Sequence, residues 1–143
     1  MGSFDAGAAV SFGIQLPIQA QSTSFAEGWE AQAGVDELTS IATVAEHAGF
    51  DYVAVCDHVA IPKAQAHALS TTWWDCIATL SYLAGVTSRV RLLSHTYVLP
   101  HRHPLVAAKQ WMTLDALSGG RAILGVGAGD IEAETTALGV DHA

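Results

Sequence analysis

Asp57 and His58 close the apolar run over residues 52–56 and put a carboxylate and an imidazole side by side at its end. An imidazole titrates near neutral pH, so a histidine at a ligand site takes or gives a proton at little cost. The plainer reading is that an Asp-His pair at a strand end caps the loop that follows. Ser94-His95-Thr96 is a second polar group, set inside the apolar run over residues 90–99. It is either a bulge or an ordinary strand with one inward polar residue. Gly125, Gly127 and Gly129, with Ala128 among them, would let a ligand approach the backbone closely.

Other chemistry-bearing residues point to less. His101 and His103 flank Arg102 in a proline-bounded turn, but His-x-His ligates a metal only where further ligands converge, and none is near in sequence. No metal site is expected; the turn should carry solvated imidazoles, one of them a helix N-cap. Trp73 and Trp74 either line a cleft or pack on a sheet, the commoner fate of aromatic residues just before a helix. Lys109 and Arg121 read as surface or helix-end charges. Cys56 and Cys76 lie in separate apolar segments without C-x-x-C spacing, so free buried thiols in a reducing cytoplasm are expected.

The elements that must position these residues follow from hydrophobic period. Residues 11–17 read as a strand closed by Pro17, and residues 18–34 as a long loop, functional or a mobile excursion. Val35, Leu38, Ile41, Ala42 and Ala45 repeat at helical spacing up to Gly49. Residues 51–58 form a second strand, continuously apolar as one covered on both faces would be, and residues 61–72 are irregular. Thr72 should cap a helix through the Asp75 N–H, with Ile77, Leu80, Leu83 and Ala84 inward. After the strand over residues 90–99, Pro104 opens a helix that buries Val106, Ala107, Gln110, Leu114 and Leu117 and stops at Gly119-Gly120. Residues 122–127 are the fourth strand and residues 132–138 at most a short helix. Strands alternating with helices predict an α/β protein with a parallel sheet. The glycine run GVGAGD also looks like a nucleotide-binding motif, but that motif belongs on the first strand of its fold and this one is on the last.

The chain of 143 residues suits one domain. Half of it is hydrophobic and 14% is charged, so a large share must be buried. A formal net charge of −8 argues against nucleic acid, whose phosphates need clustered cations. No run reaches the length of a membrane span, and residues 1–10 read as neither leader nor anchor. A soluble, cytoplasmic protein is expected.

Five stretches taken together resemble a known family: FGIQLP from Phe12, AEHAGFDYVAVCDH from Ala45, AGVTSRVRLL from Ala84, VLPHRHPLVAAKQWMTLDALSGGRAILGVGAGD from Val98, and ALGVD from Ala137. They are similar to the bacterial luciferase-like flavin and deazaflavin oxidoreductases, which are TIM barrels. The wording is closest to the branch that uses coenzyme F420, a deazaflavin, with FMN the alternative. A closed (β/α)₈ barrel takes eight strands and typically ~250 residues, so the resemblance implies that residues 1–143 form one N-terminal half barrel of about four strands. Open edges and an unfilled interior would then be completed by self-association into a homo-oligomer.

The resemblance also implies roles. His58 would be an acid/base or substrate-orienting residue and Asp57 would help hold the cofactor ring. Ser94, His95 and Thr96 would form a strand bulge supporting that ring, with a non-prolyl cis peptide at His95-Thr96, and Gly127 and Ala128 would lie against the cofactor. At Asp130 the chain departs from relatives, which usually carry an aromatic residue there. The implied function is hydride transfer between the cofactor and a small organic substrate. The alternative is a catalytically incompetent half barrel acting as a binding or assembly module.

Overall fold

The computed structural model describes residues 10–141, so the reading of the first nine residues lies outside the described ones. In chain order the elements are β1 (Gly13–Gln15), α1 (Val35–His47), β2 (Tyr52–Val55), α2 (Ala66–Leu69), α3 (Cys76–Val86), β3 (Arg91–Ser94), β4 (Tyr97–Val98), α4 (Pro104–Ser118), β5 (Ala122–Ile123), β6 (Val126–Gly127) and α5 (Glu132–Ala137). Four strands make one parallel sheet in the order β1-β2-β3-β5, and β4 and β6 make a second parallel pair. Gly13 faces Tyr52, Tyr52 faces Arg91 and Leu92 faces Ala122 across the main sheet. Each strand therefore lies beside the next in sequence with a helix between. A doubly wound nucleotide-binding sheet reverses its strand order, whereas a barrel does not. The fold is a parallel half barrel, and the nucleotide reading of the glycine run falls with the strand order.

Burial explains why these stretches became strands. Val53, Ala54 and Val55 are buried in succession, as a strand covered on both faces requires. One face meets Leu38, Ala42, Leu80 and Leu83 from the helices, and a single apolar cluster runs from Leu16 to Leu114. Cys76 is buried within it and Cys56 is partly buried, both free thiols.

Several boundaries differ from expectation, each for a local reason. The third strand, read as continuous over residues 90–99, ends at Ser94 and resumes as β4; between the two lies the non-prolyl cis peptide bond at His95-Thr96 that the resemblance implied. The fourth breaks at Leu124-Gly125 and resumes as β6, in step with its neighbour. Helix α3 is capped not by Thr72 but by Asp75, whose carboxylate accepts the Ala78 N–H at 2.8 Å. The loops hold a short turn of helix each, at Glu30–Gln32 and α2. On α4 the buried side is Ala107, Trp111, Leu114 and Ser118; Val106, Gln110 and Leu117, expected inside, are exposed. Trp111 sets that rotation, since its ring must reach Tyr97, which it meets edge-on at 5.5 Å. Val35 is likewise exposed, at the first position of α1.

Charges close the N-terminal end of the sheet. Glu46, near the end of α1, accepts the N–H groups of Ser88, Arg89 and Val90 at 2.9, 2.6 and 2.9 Å. Burial pushes its carboxyl up, but these donors outweigh it and hold it at about 2. Arg121, expected as a helix-end charge, donates to the carbonyls of Ala84, Thr87 and Val90, tying the C-terminal end of α3 to the sheet. No helix among the described residues is long and apolar enough to cross a membrane.

Candidate active site at the C-terminal ends of the strands

The chain leaves β2 at Val55 and places Cys56, Asp57 and His58 at the C-terminal end of the sheet. Asp57 is 4% exposed. A buried carboxylate needs partners, and it has three: Arg102 donates through both terminal nitrogens at 2.5 and 2.6 Å, and Val98 donates its N–H at 2.9 Å. The guanidinium also lies over the Tyr97 ring at 4.4 Å. Burial pulls the Arg102 pKa down, but the Asp57 carboxylate outweighs it and raises it. Asp57 thus joins the end of β2 to the turn after β4, and its oxygens are spent within the protein.

His58 is held from the other side. Its Nδ1 lies 2.7 Å from Oε2 of Glu134 on α5, whose Oε1 accepts the N–H groups of Val59 and Ala60 at 2.6 and 3.0 Å. Burial pushes Glu134 up, but the Ala60 N–H, the His58 ring and the Val59 N–H together bring it below its ordinary value. The carboxylate is therefore ionised and carries no hydrogen, so the bridging hydrogen belongs to His58 Nδ1. That fixes the tautomer and leaves Nε2 as the basic nitrogen. Trp73 meets the His58 ring edge-on, with centroids 4.4 Å apart, and is itself fixed by donating from Nε1 to the Leu69 carbonyl at 3.0 Å.

Ser94, His95 and Thr96 part company at the bulge. Ser94 is fully buried; its hydroxyl donates to the Gly125 carbonyl at 2.8 Å and accepts the Gly125 N–H at 3.1 Å. It locks the two kinked strands together and faces no ligand space. His95 and Thr96 are exposed on the cleft side, with His95 Nδ1 3.2 Å from the Gln15 side-chain oxygen. The glycines serve the same junction. A Cβ at Gly125 would run into the Ser94 carbonyl, and one at Gly127 would lie 2.5 Å from the Thr96 hydroxyl, so both admit the neighbouring strand. Gly127, Ala128 and Gly129 still form one wall of the cleft.

The cleft holds about 400 Å³ between Cys56, Asp57, His58, Trp73, His95, Thr96, Val98 and residues 127–130, Asp130 among them. It has an indole, a glycine-rich stretch and hydrogen-bonding side chains among its walls, a suitable slot for a planar ring with polar edges. None of the chain's six Lys and Arg residues lines it, so it offers no counter-charge to a phosphate.

Arg102, Glu134 and His101 were missed as a linked group. His101, expected to be solvated, is 8% exposed, with Nε2 3.2 Å from Thr135 Oγ1 and Nδ1 3.9 Å from Glu134. Burial lowers its pKa more than Glu134 raises it, which favours the neutral ring. His103 is the helix N-cap, accepting the Leu105 N–H. Trp73 lines the cleft, while Trp74 packs against the core. Among the described residues no group of three or more His, Cys, Asp or Glu is placed to hold a metal.

Known proteins share this arrangement of strands. Residues 10–143 match the family model described as luciferase-like monooxygenase. The 5,10-methylenetetrahydromethanopterin reductase of Methanopyrus kandleri is 33% identical over 126 residues, covering 86% of this chain and 28% of that protein. An F420-dependent glucose-6-phosphate dehydrogenase of Kineococcus radiotolerans is 35% identical over 129 residues, covering 89% and 34%. The solved coenzyme F420 dependent tetrahydromethanopterin reductase from Methanopyrus kandleri superposes with a TM-score of 0.66 at 31% identity, covering 92% of this chain and 30% of that one. The chain thus spans about a third of the length of these relatives. With the half-barrel topology and the family match agreeing over the same residues, the chain belongs to the luciferase-like monooxygenase family.

Proposed function

We propose that residues 1–143 form one domain that supplies the ring-binding wall and the acid/base of an oxidoreductase site, with F420 as cofactor and FMN as the alternative. The observation that carries this reading is the His58-Glu134 pair, an imidazole of fixed tautomer that lines a slot of suitable shape at the strand ends. The relatives named for F420 favour the deazaflavin. When bound, such a ring supplies the carbon that accepts or donates a hydride.

His58 Nε2 would take the hydroxyl proton of a small alcohol as the carbinol hydrogen leaves with its electron pair as hydride and the C=O bond forms, and would return a proton in the reverse direction. Glu134 beneath it stabilises the imidazolium that forms, as a buried carboxylate does behind a general base. Thr96, His95 and the backbone of Gly127 and Ala128 would hold the ring, while Asp57 keeps the β2 and β4 ends together through Arg102. Titration with F420, followed by its fluorescence, tests this. Saturable binding weakened by His58→Ala is the expected result, and no binding at millimolar ligand overturns the reading.

The open edges of β1 and β5 favour a second reading. Unpaired parallel edges recruit strands, and a second copy would bring β5 of one chain beside β1 of the other, giving eight strands. A monodisperse monomer by light scattering at micromolar concentration would exclude it.

A further inference from the structure

We propose that the chamber beside the ring cleft is a substrate site for a neutral molecule with a flat apolar body and one hydrogen-bonding oxygen. The proposal rests on the cleft being the ring site, because the two spaces share Cys56, Trp73 and His95 as a common wall. The chamber holds about 500 Å³, with Leu16, Pro17, Ala20, Phe25 and Ala26 along its other sides.

It is a built space rather than a gap between loops. The stretch after β1 is stitched to the stretch before α3 by backbone bonds: Trp74 N–H to the Gln19 carbonyl at 2.8 Å, Gln21 N–H to that of Thr72 at 3.0 Å and Thr23 N–H to that of Ala68 at 3.0 Å. The Thr23 hydroxyl adds a bond to the Ala68 carbonyl at 2.5 Å. Ile18 turns the chain into this stretch with φ at 77° and is wholly buried. A β-branched residue adopts that backbone only where its surroundings over-determine it, and such positions cluster at ligand sites. Here the buried Glu30 does so, accepting the N–H groups of Ile18 and Glu27 at 2.6 and 2.8 Å.

Charge then selects the ligand. No Lys or Arg lines the chamber, and the one carboxylate that does, Glu30, has both oxygens committed to backbone. A phosphate or carboxylate entering here would lose water and gain no cation, which is costly. The indole of Trp73 and the exposed ring of Phe25 offer flat apolar faces instead. The polar end is the His95-Gln15 pair at the junction with the cleft, so a substrate oxygen bound there lies on the side where His58 stands.

The test is a titration of the chain with acetophenone, benzoate and glucose 6-phosphate, followed by the NMR shift of the Trp73 indole N–H. Saturable shifts at millimolar acetophenone are expected, with benzoate at least about tenfold weaker and glucose 6-phosphate inert. Ala26→Phe should fill the chamber and abolish the acetophenone shift with the melting transition retained, while riboflavin, the ring without phosphate, still binds. Benzoate or glucose 6-phosphate binding as well as acetophenone, or acetophenone leaving Trp73 unmoved, overturns the proposal. Acetophenone binding normally where both riboflavin and F420 fail would sink the ring site and with it the substrate role, leaving only a chamber for neutral ligands.

Discussion

Glu46 and Glu134 are both buried carboxylates that gather N–H groups from a neighbouring loop, yet they sit at opposite ends of the strands. Glu46 takes three consecutive backbone donors just before β3 on one oxygen and the Ser88 hydroxyl on the other. Glu134 takes two after β2 and spends its remaining capacity on a histidine. At the N-terminal end charge completes the backbone; at the C-terminal end the same device completes the backbone and also aims a side chain. In barrels the first end is where stability resides and the second where chemistry does.

The comparison breaks hardest at the C-terminal brace. Arg102→Ala should leave Asp57 buried without a counter-charge and cost about 3–5 kcal/mol. Urea denaturation measures this, and the double variant Asp57→Asn, Arg102→Leu should recover part of the loss. At the other end, Glu46→Ala abandons three backbone donors and the Ser88 hydroxyl and should cost about 2–4 kcal/mol, leaving riboflavin binding per folded molecule unchanged.

Acid sharpens the same point. The Glu46 carboxyl titrates at about 2 in the folded chain against an ordinary 4.5, so the unfolded chain binds its proton first as pH falls. The Glu46 contribution is therefore complete above about pH 4.5 and disappears as pH drops through about 2. Denaturation of the wild type and Glu46→Gln should converge over that window.

Glu134→Gln keeps an acceptor for Val59 and Ala60, so its stability cost should be only about 1 kcal/mol. Its larger effect should be on His58: ring ¹⁵N shifts should report hydrogen at Nδ1 in the wild type and a tautomer mixture in the variant. The smallest effect belongs to the outer face of α4. Met112 is 71% exposed, so Met112→Glu should change monomer stability by less than about 0.5 kcal/mol, and its light-scattering mass tells whether that face supports association.

The strand and helix pattern was legible because it is written in local period: the runs that became β2, α1 and α3 are apolar at spacings only those elements satisfy. Asp57, His58, His95 and the glycines stood out because strand ends and polar interruptions are local signals too. What sequence did not show is who holds them. Glu134 lies 76 residues from His58 and Arg102 lies 45 from Asp57, and no spacing rule spans a fold at that distance. One faint signal existed for Arg102, a lone cation in a turn otherwise bounded by apolar segments. The exposed Leu117 was misplaced for a related reason: helical period gives a face, and only the position of Trp111 against Tyr97 decides which face turns inward.

The stitching between the stretch after β1 and the stretch before α3 makes them a single unit of inheritance. Each supplies donors to carbonyls of the other, so a loop from a relative grafted in place of one of them would arrive with its backbone partners missing. Engineering the pocket by exchange therefore calls for moving residues 18–26 and 66–74 as one cassette, while point changes at side chains facing the chamber leave the stitching intact.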